Sequence, residues 1–338
     1  MNVAIIGAGS WGTALSILLG RRGFAVKIWC YENEVERDIN LNRENRTYLE
    51  GFKIPEKVQA FIQIREVLKE AEIVIFAVPS HVTRKILLEA KFYIPKDAAL
   101  ISATKGIEVE SLKLMSQIYE EVFGNIFDRF AVLSGPTFAK EVAKGLPTAA
   151  TIASKNSKLS SHLQKLLSDD KFRLYESFDV TGVEIGGAVK NVIAIAAGIS
   201  DGLKLGLNAR AAIITRGLAE ITRLGVRMGA NPLTFLGLSG LGDLVLTCTG
   251  ELSRNRSVGV QLGEGKKIED IIASTPMIAE GIKTSVAVKK LSEREGVEMP
   301  ISEMVYRILH EGMNPEDGVK ILMARSLKEE LYGISLNR

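Results

Sequence analysis

The chain is poor in cysteine, with only Cys30 and Cys248 among 338 residues. Two thiols can make neither a disulfide framework nor a cysteine metal cluster, and they suit a reducing cytosol. Charge of one sign is also missing. The formal net charge is +3, with acidic and basic residues interleaved, so no basic stripe argues for nucleic acid. Low-complexity segments and internal repeats are absent. No leader pattern precedes the first apolar run. The apolar run at 192–199 is short for a bilayer and is bracketed by Lys190 and Asp201. What remains is an ordinary globular composition, 46% hydrophobic and 25% charged, long enough for two domains with real cores.

The stretch 184–203, EIGGAVKNVIAIAAGISDGL, reads as a helix whose apolar and small residues cover nearly every face. Such a helix belongs inside a large core. Lys190 sits in its middle. Either it snorkels to water along its stem, or it occupies a water-poor cleft where desolvation lowers its pKa and suits it to proton transfer.

The N-terminal half alternates strand and helix. VAIIG at 3–7 leads into GAGSWG at 7–12, then a helix, then a strand at 25–29. Gly7 makes the tight turn, Gly9 lets backbone approach a pyrophosphate, and Gly12 lets the helix pack on the strand. Glu32 stands about 20 residues past the last of these glycines, where a dinucleotide-binding unit places its ribose acid. A carboxylate there favours NAD and repels a 2′-phosphate, although Arg37, Arg43 and Arg46 are close in sequence. Further strands are expected at 58–62, 73–78, 98–103, 130–133, 148–153 and 172–177. The alternation predicts an α/β, Rossmann-like, doubly wound sheet. Ligands of such sheets lie beyond the carboxyl ends of the strands, which brings Ser80, His81, Lys105 and residues 135–137 to the rim of the glycine loop. Ser80 is placed to cap the helix that follows it.

Strand signals stop after Thr181. The expected division is a dinucleotide-binding domain at 1–180 and an all-α C-terminal domain at 181–338. In the second half, Glu220 and Arg216 can pair along a helix. Asp243 either caps a helix or charge-pairs a lysine. Arg254 and Arg256 form a tight basic pair suited to phosphate oxygens, or lie on a solvated loop. Glu280 caps a helix or reaches a cofactor. If Asp243 pairs a lysine, its charge raises that lysine's pKa while burial lowers it. Residue types alone leave that balance open.

The motifs GAGSWGTAL at 7–15, VPSH at 78–81, ATKGIE at 103–108, SGPTFAKEVAKGLPTA at 134–149 and GAVKNVIAIAAGISDGL at 187–203 occur in that order. NARAAIITRGLAE at 208–220, GLGDLVLTCTGELSRNR at 240–256 and GVEMPI at 296–301 follow. Together they resemble bacterial NAD(P)-dependent glycerol-3-phosphate dehydrogenase over almost the whole chain. The resemblance implies a cytoplasmic, commonly dimeric enzyme interconverting dihydroxyacetone phosphate and sn-glycerol 3-phosphate for phospholipid synthesis, with NAD or NADP as cofactor. It makes Lys190 the catalytic lysine. Lys105, Gly135, Thr137, Lys190, Asp243, Ser253, Arg254 and Asn255 are implied at the substrate. Gly7, Gly9, Ser10, Trp11, Gly12, Tyr31, Tyr48, Lys105, Ala139, Arg254, Ile278 and Glu280 are implied at the cofactor. Tyr31 departs from the family pattern, in which many members carry a basic residue, and Ile278 replaces the commoner valine. Two rivals are a dehydrogenase of another phosphorylated or carboxylated hydroxy compound and a nucleotide-sensing protein without turnover.

Overall fold

The computed structural model describes residues 1–274, 279–330 and 332–333. Two compact units divide the chain: Met1–Thr104 with Met115–Val180, and Lys105–Leu114 with Thr181–Arg338.

The first unit carries eight strands: β1 (Asn2–Ile6), β2 (Ala25–Trp29), β3 (Val58–Phe61), β4 (Ile73–Phe76), β5 (Ala99–Ser102), β6 (Phe130–Ser134), β7 (Thr148–Ala153) and β8 (Phe172–Ser177). They form one sheet in the order β3-β2-β1-β4-β5-β6-β7-β8. All neighbours run parallel except β6 with β7. β4 is buried along its whole length, as a parallel strand covered on both faces requires. The strand order reverses between β1 and β4, the switch point where such sheets bind ligands.

Sequence reading gives the eight strands but misplaces the start of one helix. Ser80 is the first residue of the helix Ser80–Ala90, and Pro79 holds the capping position. Proline suits the place because its missing N–H is not needed there. The helix Leu207–Arg227 starts after Gly206, which holds φ +88°, and ends at Met228.

The second unit is built on the helix Val180–Gly202, which is buried through residues 182–200. By length and composition it could cross a membrane, the one such helix among the described residues, but 94% of its apolar window is buried within the protein. The helix Arg254–Gly263 crosses it at backbone contact. A Cβ on Gly198 would come within 2.1 Å of the Arg256 carbonyl oxygen, and one on Gly259 within 2.1 Å of the Ile195 carbonyl oxygen. Only glycine on both helices allows that approach. Asn191 is thereby brought to Asn255: the Asn255 Nδ2 donates to Asn191 Oδ1 at 2.9 Å.

Candidate active site

In the first unit the glycine loop joins β1 to the helix Ser10–Arg21. Gly7 sits at φ +112°, and a Cβ on Gly12 would lie 1.9 Å from the Gly7 carbonyl oxygen. Nothing lies within 4 Å of a Cβ built on Gly9, so space is open where a pyrophosphate would meet the first-turn N–H groups. Trp11 Nε1 is buried with no partner among the described residues. The loop is strapped from behind by Asn45, which is fully buried and donates to the Ala8 carbonyl and to Thr13 Oγ1, both at 2.8 Å. Ser10 Oγ donates to the Tyr48 carbonyl at 2.7 Å. The Tyr48 hydroxyl donates to Glu32 Oε1 at 2.7 Å. Tyr31 is exposed. The glycine turn, the open space and the carboxylate after β2 fit a nicotinamide dinucleotide.

Gly135, Thr137 and Ala139 also belong to this unit. Gly135 holds φ +144°, Thr137 Oγ1 donates to the Gly135 carbonyl at 3.1 Å, and Ala139 opens the helix Ala139–Lys144.

In the second unit three charged residues from distant parts of the chain meet. Asp243 is 1% exposed and receives Lys190 Nζ on Oδ1 at 2.5 Å and Lys105 Nζ on Oδ2 at 2.7 Å. Asp243 therefore pairs lysines rather than capping its helix, Asp243–Thr249, where it is the first residue after Gly242. Thr247 lies one turn on. Its hydroxyl donates to the Asp243 carbonyl at 2.6 Å and accepts from Lys190 Nζ at 2.7 Å. An ammonium has three donors, so the third N–H of Lys190 has no partner among the described residues. Lys190 is 6% exposed, so its amine does not reach bulk water. Burial is the strongest influence on it and outweighs the opposing charge of Asp243; Lys105 adds to the lowering, and the pKa falls from 10.5 to about 8.

A second group lies on the crossing helix. Ser253 caps Arg254–Gly263 by accepting from Arg256 N at 3.2 Å. Asn255 Oδ1 accepts from Gly281 N at 2.9 Å, which satisfies the first turn of the helix Glu280–Glu295. That leaves Glu280 as the helix's first residue rather than its cap. The two arginines part company. Arg256 is taken by Asp201, with Nε at 2.8 Å, and Asp201 also holds Arg210 Nε at 2.8 Å. Arg254 is exposed at the surface. Enough protein surrounds its guanidinium for desolvation to lower its pKa, against the charge of Glu280. Ile278 lies outside the described residues.

The sequence reading gives Thr247, Asn191, Asn45 and Asp201 no role in a site. Thr247 has a findable signal, since it lies four residues after Asp243 within one apolar helix. The other three are recognised only through long-range partners. Arg216 donates to the Glu330 carbonyl at 2.6 Å, and Glu220 faces Ile301 and Ser302; the expected i, i+4 pair between them does not form. Among the described residues no group of three or more His, Cys, Asp or Glu could hold a metal ion.

A parallel sheet with a glycine turn at its switch point, and a buried, partnered lysine in a helical unit, define a nicotinamide-dependent oxidoreductase. The family models describing the N-terminus and C-terminus of NAD-dependent glycerol-3-phosphate dehydrogenase match residues 2–160 and 179–320. The chain belongs to that family. A glycerol-3-phosphate dehydrogenase [NAD(P)+] of Syntrophotalea carbinolica is 51% identical over 98% of this chain and 100% of its own length. The Myxococcus xanthus protein of that name is 51% identical over 99% and 100%. The crystal structure of the glycerol-3-phosphate dehydrogenase from Coxiella burnetii superposes with a TM-score of 0.92 at 40% identity, covering 96% of this chain and 99% of that one. A D-mandelate dehydrogenase, at 14% identity and a TM-score of 0.63 over 94% of this chain and 100% of that one, shares the fold alone.

Proposed function

We propose that this protein interconverts dihydroxyacetone phosphate and sn-glycerol 3-phosphate with NADH or NADPH, and that Lys190 is its general acid and base. The observation that carries the reading is the Lys190 amine, buried, held by Asp243 and Thr247, and shifted to about 8. A general acid or base works best when its pKa lies near the working pH.

When bound, the reduced nicotinamide supplies hydride to the ketone carbon. The negative charge that develops on the carbonyl oxygen is met by the third N–H of Lys190, which stabilises it and delivers the proton. In the oxidising direction the neutral amine takes the hydroxyl proton. Asp243 and Thr247 orient the amine, and Lys105 adds positive charge beside it. Arg254, at the start of a ten-residue helix, grips the phosphate with its planar fork, and Ser253, Asn255, Gly135 and Thr137 complete the substrate contacts. This remote binding orients the carbonyl. Gly7, Gly9, Ser10, Trp11, Gly12, Tyr31, Tyr48, Lys105, Ala139, Arg254, Ile278 and Glu280 are the residues assigned to the dinucleotide. The enzyme works in the cytoplasm as a homodimer and supplies glycerol 3-phosphate for phospholipid synthesis.

The test is optical oxidation of NADH and NADPH against a panel of phosphorylated and carboxylated ketones. Dihydroxyacetone phosphate should be preferred, and preference for another ketone overturns the substrate assignment. Reduction should fall as pH rises through about 8, and oxidation should rise there. In Arg254→Ala the KM for dihydroxyacetone phosphate should rise about 10- to 100-fold, the loss expected for a charge-assisted contact.

A further inference from the structure

We infer that Tyr48 is a positioning residue for cofactor choice: its hydroxyl holds the Glu32 carboxylate where a ribose 2′-hydroxyl is accepted and a 2′-phosphate repelled, so that NADH is selected over NADPH. The inference rests on the dinucleotide reading of the first unit.

Glu32 lies shortly after β2 and, in extended backbone, holds the capping position of the helix Asn33–Arg37. Tyr48 occupies Glu32 Oε1 at 2.7 Å, and Oε2 has no protein partner among the described residues. The carboxylate is thus fixed by one oxygen and available through the other. Tyr48 is itself anchored to the glycine loop. Its carbonyl accepts from Ser10 Oγ at 2.7 Å, and its N–H donates to Asn45 Oδ1 at 3.1 Å. Asn45 in turn ties to Ala8 and Thr13. The acid is therefore held in register with the turn that receives the pyrophosphate, and a dinucleotide has a fixed span between its pyrophosphate and its adenosine ribose. Burial and the neighbouring Glu32 push the Tyr48 hydroxyl up to about 12, so it remains a donor across the working pH range.

Two of the three arginines that could reward a 2′-phosphate are engaged elsewhere. Arg43 donates to the carbonyls of Ile54, Pro55 and Val58. Arg46 is paired with Asp38 at 2.5 Å, and that carboxylate is held down to about 2. Tyr31, 78% exposed and edge-on to Trp29, brings no charge. Of the three arginines that follow β2, only Arg37 has no described partner. A 2′-phosphate carries about −1.5 to −2 charges, and set beside a fixed carboxylate it is rejected by like-charge repulsion, the repulsive half of specificity.

The experiment is equilibrium binding of NADH and of NADPH to the full chain, followed by nicotinamide fluorescence without substrate. The unmodified protein should bind NADH about tenfold or more tightly than NADPH. Tyr48→Phe should narrow that ratio about three- to tenfold, and Glu32→Gln should remove most of it. Equal or tighter binding of NADPH overturns the inference, and its loss in Arg37→Ala would identify the grip that defeats it. If Tyr48→Phe weakens both dinucleotides in equal proportion, Tyr48 is structural and the positioning role is overturned. Binding of neither dinucleotide overturns the cofactor reading itself, whereas selective binding without turnover leaves this inference standing and removes the proposed reaction.

Discussion

Two ionisable residues lie deep in the helical unit, and burial moves both toward the neutral form, yet their surroundings differ. Lys190 is lowered to about 8 and Glu220 raised to about 7. Lys190 faces charge: one carboxylate, a second ammonium beyond it, and a hydroxyl. Glu220, on the helix Leu207–Arg227, faces the start of the helix Pro300–His310. It accepts from Ile301 N at 2.6 Å, Ser302 N at 3.1 Å and Ser302 Oγ at 2.9 Å. Those donors are the first-turn N–H groups that every helix leaves unsatisfied. Both oxygens of Glu220 are used up in closing a helix end. Lys190 keeps one donor in hand. A shifted pKa therefore marks chemistry only where the group retains unused hydrogen-bonding capacity, since structural networks perturb pKa values as well.

The largest expected effect is from Lys190→Ala. It should lower turnover by about 10²–10⁴-fold, the usual worth of a general acid, while dinucleotide binding measured by fluorescence persists. Retained turnover would erase the distinction between the two sites. Asp243→Asn comes next. Leaving two lysines beside a neutral amide should cost about 3–5 kcal/mol in chemical denaturation, as for any broken buried pair. It should also move the alkaline limb of the reduction rate below pH 8, because the charge that raises the Lys190 pKa is gone. The smallest effect is that of Glu220→Gln, which should leave turnover unchanged and show itself in stability against pH.

The signs there are opposite for the two groups. Glu220 is raised from 4.5 to about 7, so its contribution is complete below 4.5 and is lost as pH rises through 7. Lys190 is lowered from 10.5 to about 8, so its contribution is present above 10.5 and lost as pH falls through 8. Thermal melts should show a falling limb between 4.5 and 7 that Glu220→Gln flattens, and a rising limb between 8 and 10.5 that Lys190→Ala flattens. A slope shared by both variants would show that neither group is its source.

The first unit was the more legible. Some of its strands, such as Ile73–Phe76 and Phe130–Ser134, are apolar runs that end near proline or glycine, and each fingerprint glycine answers to a backbone demand that can be stated without coordinates. The lysine was visible because a charge interrupts an otherwise apolar helix. Its environment was not, because Lys105 and Asp243 are 138 residues apart and neither local period nor spacing joins them. The balance between burial and Asp243 likewise needed the depth of Lys190. The basic pair at 254 and 256 reads alike in sequence, and only Asp201, reaching from another helix, separates a structural arginine from an available one.

The crossing of Val180–Gly202 with Arg254–Gly263 works as a ruler. Where backbones meet with no side chain between them, the main-chain interval from Lys190 to Arg254 is set by atomic radii and peptide geometry. Gly202 and Gly263 repeat the contact one turn further along, with Cβ positions 2.3 and 2.5 Å from opposing carbonyl oxygens. Selection can abolish such an interval but can hardly tune it, so the backbone spacing between Lys190 and Arg254 is built into the main chain.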